Sequence, residues 1–587
     1  MEGHDIAFDS TVHATDDLGW DPDGEEPIDV PTDDGLLILV PPGEYAFPLD
    51  TGDEPACVRG DLTDWGIRGL GNDPRDVTFR TASGESGYFI RSGYNSEGIL
   101  LENLAFDNTD ARQGGDIGNF LQAQDAVEVH DVDHVGFSGR EPYCRWSILP
   151  AIKSDDGEAN VVNYTKTGPS VFAGHGASDG GGGVFDHEGH VTFRDCEIAN
   201  QGGDGGLYTG KHNGSIVFED CEFRNNDMAA IRTAAGSELR NCEIVIDWEN
   251  AHPENVIDDA TPPTGTMGIY FSSAQYGKSG GGIYDSTVRL LSTYDTAMAG
   301  ILINPSDGAI DLHDTTVETH LDQRPVWFMD PREQRFDSHT TPAEPWGVDI
   351  RNLTVAGSGE CHGQAAVILE GRHGSTIDGL TIDMPNAPAG LNVRASEDVE
   401  LGTHDISVDG AAIRGDVRTD GGGNRDSDAP PKTLQFTNEG AQRAFYSFRA
   451  ASTQPDEDVP SGQTNHHRDE GGAGGYLTPG ETHTWRVAEQ PHNCSLVGDV
   501  AVTVEGEPLE DVPPMDTPDW SNDELATAWG YPSEAPTEED STEEDIEALR
   551  ERAEDHEARL DAVEEDVESM QEDRRSLRNR LAALFGR

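Results

Sequence analysis

VTFRDCEIAN at residues 191–200, IVFEDCEFRN at 216–225 and SELRNCEIVI at 237–246 are three variants of one phrase, with Cys196, Cys221 and Cys242 in the same slot. The cysteines stand 25 residues apart and then 21, and self-similarity at a period in the twenties marks a stacked-repeat architecture. The phrase recurs as ILLENLAFDN (99–108), GIYDSTVRLL (282–291), IDLHDTTVET (310–319), VDIRNLTVAG (348–357) and TIDGLTIDMP (376–385). A second phrase aligns between these copies, as GGLYTG (205–210), AAIRTA (229–234), MGIYFSS (267–273), AGILINP (299–305), AAVILEG (365–371) and AGLNVRA (389–395). No helical period runs through this region. Strands this short, bounded by Gly, Asn and Asp, cannot bury a face alone. Stacking coil on coil forms parallel sheets around a continuous apolar column, with the repeated cysteines as small buried members of it.

Composition narrows the function. The 587 residues carry 112 acids against 39 bases, a formal charge of −73, and only five of the bases are lysines, Lys153, Lys166, Lys211, Lys278 and Lys432. Such a surface repels a nucleic-acid backbone. Acid excess with scarce lysine resembles a halophilic proteome, where molar salt shortens the Debye length to about 3 Å and screens the self-repulsion. Seven cysteines without CxxC pairs are too sparse for a disulfide framework or a zinc site. No run of about 18 apolar residues appears, and the opening MEGHDIAFDSTVHATDD has no basic region followed by an apolar one, so neither a membrane span nor a signal peptide is expected.

Near the start, LLILVPPGEYAF (36–47) reads as strand, Pro-Pro-Gly turn and strand. With this opening and the DCEI coils, the chain resembles the right-handed parallel β-helix proteins of the pectate-lyase-like class. The resemblance covers residues 30–415, after an N-terminal extension at 1–29. A Gly/Asp/Pro linker follows at 416–432. Alternating apolar residues over 433–510 predict a small antiparallel β domain, similar to the β-sandwich modules found after β-helices in haloarchaeal proteins. An acidic spacer occupies 511–544. From 545 to 587 the period becomes seven, with Ile546, Ala553, Leu560, Val567, Arg574 and Leu581 at a positions and Leu549, His556, Val563, Met570, Leu577 and Leu584 at d positions. This predicts an oligomerising coiled coil.

Candidate chemistry lies on outward positions of the coils, which stack about 4.8 Å apart. Tyr208, Arg232 and Tyr270 occupy the same slot in successive second phrases, offering flat rings to sugars and a guanidinium fork to carboxylate or sulfate. Asp204 and Asp227 just precede the first two. On a shared groove they would form the acid/base pair of a glycosidase, with Arg232 as a third catalytic candidate. Lys211 and His212 follow Tyr208 and join the substrate-binding set. The ordinary reading of His187, His190 and His212 is a satisfied or exposed histidine, since none has metal-ligand spacing. In a lyase the same groove would use Arg232 or Tyr208 at the α-proton, with an acid or Ca²⁺ neutralising a uronate. No cofactor is required. DNTD (107–110), SDD (154–156) and GHG (174–176) also follow the order of motifs in polygalacturonase-like glycoside hydrolases. That likeness implies Asp110, Asp155, Asp156 and His175 as alternative catalytic residues. It departs where the Arg-x-Lys element has no lysine in AIRTAAG (230–236).

A polysaccharide-type solenoid, an oligomerising helix and no export signal together resemble the tail spike or fibre of a haloarchaeal tailed virus. The resemblance implies a homotrimer at an extracellular or virion surface that engages, and in some cases cleaves, cell-surface glycan. The alternatives are a secreted haloarchaeal polysaccharide lyase or hydrolase, and a purely structural β-helix.

Overall fold

The computed structural model describes residues 6–51, 55–108, 116–139, 146–172, 180–257, 266–294, 297–334, 336 and 338–419, and then 432–438, 444–449, 454–455, 464–467, 472–487, 492–497, 500–504 and 507–508. The chain divides into two compact units at Pro430 and Pro431. The first is a parallel β-helix. One sheet of 25 strands winds along its length, and a four-stranded and a nine-stranded sheet close the other side. The repeat phrase forms two short strands per coil, such as His190–Arg194 and Glu197–Ala199, each paired in parallel with its counterpart one coil on.

The turn between those two strands explains the Asp or Asn that precedes each cysteine slot. Asp195, Asp220, Asn241, Asp285, Asp314 and Asn352 all take φ between 50° and 55°, the left-handed region that Asn and Asp tolerate better than other side chains. The next residue then turns inward. Cys196, Cys221 and Cys242 are buried, and their thiols reach the carbonyls of Val161, Phe193 and Phe218 at 3.4, 3.4 and 3.5 Å. Ser286, Thr315 and Leu353 continue the column.

The β-helix begins earlier than the sequence boundary at residue 30. Ser10–His13 pairs in register with Leu36–Leu39, and Trp20 and Ile28 are buried at the open end, with Trp20 against Tyr45 and Phe79. Residues 10–29 therefore cap the apolar column, which a solenoid end requires. The far boundary also moves: Arg418–Thr419 still pairs with Glu400–Leu401, inside the expected 416–432 linker.

In the second unit the pairing is antiparallel. Lys432–Asn438, Thr482–Val487, Val500–Val504 and two short strands form one sheet, and Ala444–Arg449, Thr464–His467, Gly472–Leu477 and His492–Val497 form another. Among its described residues Leu434, Phe436, Ala444, Leu477, Trp485 and Val502 are buried and apolar. The spacer at 511–544 and the heptads at 545–587, including Ile546, Leu549, Leu560, Val563, Val567, Met570, Leu577, Leu581 and Leu584, lie outside the described residues. Among the described residues no helix is long and apolar enough to cross a membrane.

Candidate functional site

Side chains alternate in and out along each strand of the nine-stranded sheet. Leu207, Ile231, Ile269, Ile301 and Val326 point into the core, so Tyr208, Arg232, Tyr270, Leu302 and Trp327 point out. The structure thus brings Tyr208, Arg232 and Tyr270 into one register. The Arg232 guanidinium lies between two rings, 4.3 Å from the Tyr208 centroid and 5.2 Å from that of Tyr270. Its Nη2 donates to Ser272 Oγ at 3.4 Å, while its Nε has no protein partner. Tyr270 Oη accepts from Asn304 Nδ2 at 2.7 Å, which fixes that ring.

This slot runs through successive coils as one outward row. From Arg91 it passes through Phe120 and Leu149 on the four-stranded sheet. The bridge between Ile148 and Gly182 carries it to Gly183, and it continues as Tyr208, Arg232, Tyr270, Leu302, Trp327, Ile368, Asn392 and Arg414. No acid occurs in it. Arg91 stacks on Phe120 at 5.2 Å, and Arg324 on Trp327 at 4.3 Å. Lys211, in the turn after Tyr208, holds its ammonium 5.4 Å from that ring. Glu370, beside the row, accepts from Trp327 Nε1 at 2.9 Å and Arg394 at 3.2 Å, and burial pushes its carboxyl up.

Other expected members are placed differently. Tyr208 is 5% exposed, its ring enclosed by Arg232, Phe185 and Trp146, so it supports the site instead of presenting a free face. His212 is buried, with Nδ1 on the Gly214 carbonyl and its ring 5.4 Å from that of His187. Burial holds it well below the usual imidazole range. It braces a turn and drops out of the substrate-binding set.

Asp227 is buried and Asp204 half-buried. Asp227 Oδ1 accepts from the Tyr294 hydroxyl and from the Met228 amide at 2.8 Å. Burial pushes its carboxyl up to about 7 against those hydrogen bonds, and the Asp204 charge adds to the rise. Tyr294 in turn packs edge to face with Phe172 and Trp248, with centroids of the three rings 4.7 to 5.5 Å apart. The parallel pairing of Val171–Phe172 with Val256–Ile257 holds that cluster. The two aspartates are neighbours, yet they are not the pair of open carboxylates expected from the sequence.

Asp155 and Asp156 are exposed in the turn after Leu149–Ile152, at the opposite strand ends from Asp204 and Asp227, so the alternative set does not join the first. Asp110 and His175 lie outside the described residues. Among the described residues no group of three or more His, Cys, Asp or Glu could hold a metal ion. The sequence reading passes over Tyr294, Trp146 and Phe185, which lie in irregular segments. It also passes over Trp327, although RPVWF (324–328) offered the same alternating signal as MGIYF.

No family model matches the chain, and no curated protein matches it. Among solved structures it is similar to the A-module of a mannuronan C-5 epimerase of Azotobacter vinelandii, at 15% identity over 70% of this chain and 100% of that one, TM-score 0.36. It is also similar to the tailspike protein of E. coli bacteriophage HK620 in complex with a hexasaccharide, at 9% identity over 79% and 86%, TM-score 0.35. A third is PfbA, a surface adhesin of Streptococcus pneumoniae, at 9% identity over 69% and 93%, TM-score 0.30.

Proposed function

We propose that the protein engages an extended, negatively charged cell-surface glycan along the outward row from Arg91 to Arg414. The carrying observation is the row itself. In a chain whose acids outnumber bases 112 to 39, a continuous line of positions with three arginines, four large aromatic rings and no carboxylate is a marked departure from composition. A row along the coil axis matches a polymer, and arginine between aromatic rings offers charge and stacking together. We propose further that the chain works in high salt as a trimer joined through 545–587, in the manner of a tail spike or fibre at an extracellular or virion surface, with Ca²⁺ as an accessory ion.

The second reading, cleavage, is favoured by one observation: Asp227 holds its proton to about pH 7, as a general acid must. Its seal under Tyr294 makes binding the better-supported activity.

The test is fluorescence anisotropy of labelled acidic surface polysaccharide from a salt-adapted archaeon, in molar salt, with and without Ca²⁺, against neutral dextran. The acidic polymer should bind, dextran should not, and Arg232→Glu should weaken binding by about 100-fold. Equal affinity for both polymers, or binding unaffected by Arg232→Glu, overturns the reading. New reducing ends during incubation would add cleavage, and Asp227→Asn should then remove them. Light scattering on the full chain tests the trimer.

A further inference from the structure

The inward row of the long sheet carries an anomaly. Phe106, His134, Lys166, Ile198, Phe223 and Ile244 occupy successive coils at one register position. Two members of an otherwise apolar row are ionisable, and both are buried. Asn119 faces them from the four-stranded sheet, with its Nδ2 3.2 Å from His134 Nε2. The same Nδ2 lies 3.5 Å from the carbonyl of Ser147, a buried residue. Tyr164, two residues before Lys166 and also inward, sets its ring 5.7 Å from the His134 ring and its phenol toward Ser147.

The amide donates to His134 Nε2, so the imidazole proton resides on Nδ1. That Nδ1, Lys166 Nζ and Asn119 Oδ1 are buried without a protein hydrogen-bond partner, as are Tyr164 Oη and Ser147 Oγ apart from their approach to each other. Buried polar atoms are rarely left so, and a concentration of them points to a guest. Four of the five can donate and only one is restricted to accepting. The opposite charge acting on Lys166 is that of Asp116, which accepts from Asn108 and makes no hydrogen bond to the ammonium.

We propose that these side chains enclose a binding site for a small inorganic anion of the halide class. Lys166 supplies the charge, and Tyr164, Ser147 and His134 supply directional donors. Burial and the Lys166 charge hold His134 well below the usual imidazole range, which keeps the ring neutral and its tautomer fixed. A cleft of about 380 Å³ at the surface, lined in part by Arg75, His134, Thr167, His252 and Glu254, adjoins the cluster. The site is separate from the outward row and does not depend on its function.

Bromide is the probe. Crystals of the wild-type protein, purified and grown in sodium bromide, should show an anomalous peak within hydrogen-bond reach of Lys166 Nζ and Tyr164 Oη. Ordered water there, or no peak while surface bromides are visible, overturns the proposal in favour of a hydrated cavity. Thermal unfolding gives a second reading. Each tenfold rise in chloride above the dissociation constant should raise the folded-to-unfolded ratio about tenfold relative to acetate at equal ionic strength. Lys166→Met should lose that gain. Identical unfolding of the wild type in chloride and acetate would also overturn it.

Discussion

Two positions on the same β-helix surround arginine with opposite kinds of neighbour. On the long sheet, one outward row contains Arg68 beside Glu102 and Arg194 beside Glu219, each pair in adjacent coils and joined by an ion pair. On the nine-stranded sheet, Arg232 has Tyr208 and Tyr270 in those two positions. A carboxylate neighbour neutralises a guanidinium. Aromatic neighbours hold it in place and leave its charge for something outside the chain. Coil stacking sets the spacing on both faces, so the difference lies wholly in which side chains occupy the slots.

The sharpest test of that contrast is whether the acids bordering the second face are kept uncharged. Asp227 retains its proton to about pH 7 when folded, against about 3.9 in an unfolded chain. Between those values the folded state binds more protons than the unfolded one, so this group's contribution to stability falls as pH rises from about 4 to about 7. The loss is at most about 4 kcal/mol. Asp227→Asn keeps an acceptor for Tyr294 and removes the titration. In denaturant unfolding at a series of pH values, the variant should gain on the wild type steadily across that window. A gap independent of pH would mean an ionised Asp227 and a second face that is not cleared of negative charge.

Next in size is charge reversal. Arg232→Glu should weaken binding of acidic polysaccharide by about 100-fold, roughly 3 kcal/mol, whereas Arg194→Glu on the long sheet should change it less than about twofold. Equal losses would reduce the contrast to net charge alone. Tyr270→Ala should cost about tenfold, since it removes one face of the guanidinium sandwich and the acceptor of Asn304, while Tyr284→Ala, beside Arg240 on the long sheet, should leave affinity unchanged.

The fold was legible because the turn chemistry repeats. Asp or Asn before Cys196, Cys221 and Cys242 declares a left-handed residue followed by an inward one, and that pair sets the register of every coil around it. The same register made the Tyr208, Arg232 and Tyr270 alignment readable. What could not be read was depth. Whether Asp227 is open or sealed depends on Val256–Ile257 returning to pair with Val171–Phe172, residues 85 positions apart in each case, and no local pattern encodes that return. His134 and Lys166 were a readable exception, since DVDHVGFS and NYTKTG place polar residues where the other coils carry Ile, Phe or Val.

The smallest effect discriminates most finely between the faces. Arg194 and Glu219 lie 2.8 Å apart with side chains 35% and 38% exposed, a geometry in which an ion pair contributes about 0.5 kcal/mol and is screened by salt. A double-mutant cycle with alanine at both positions, read by thermal unfolding, should give a coupling near that size at the lowest salt in which the protein stays folded, and none in molar salt. The corresponding cycle for Arg232 and Tyr270 should retain its coupling in molar salt, because a guanidinium packed on a ring excludes the ions that would screen it. Were both couplings to vanish together, the aromatic sandwich would be no more durable than a surface ion pair, and a charged row facing a saline medium could not hold a ligand by it.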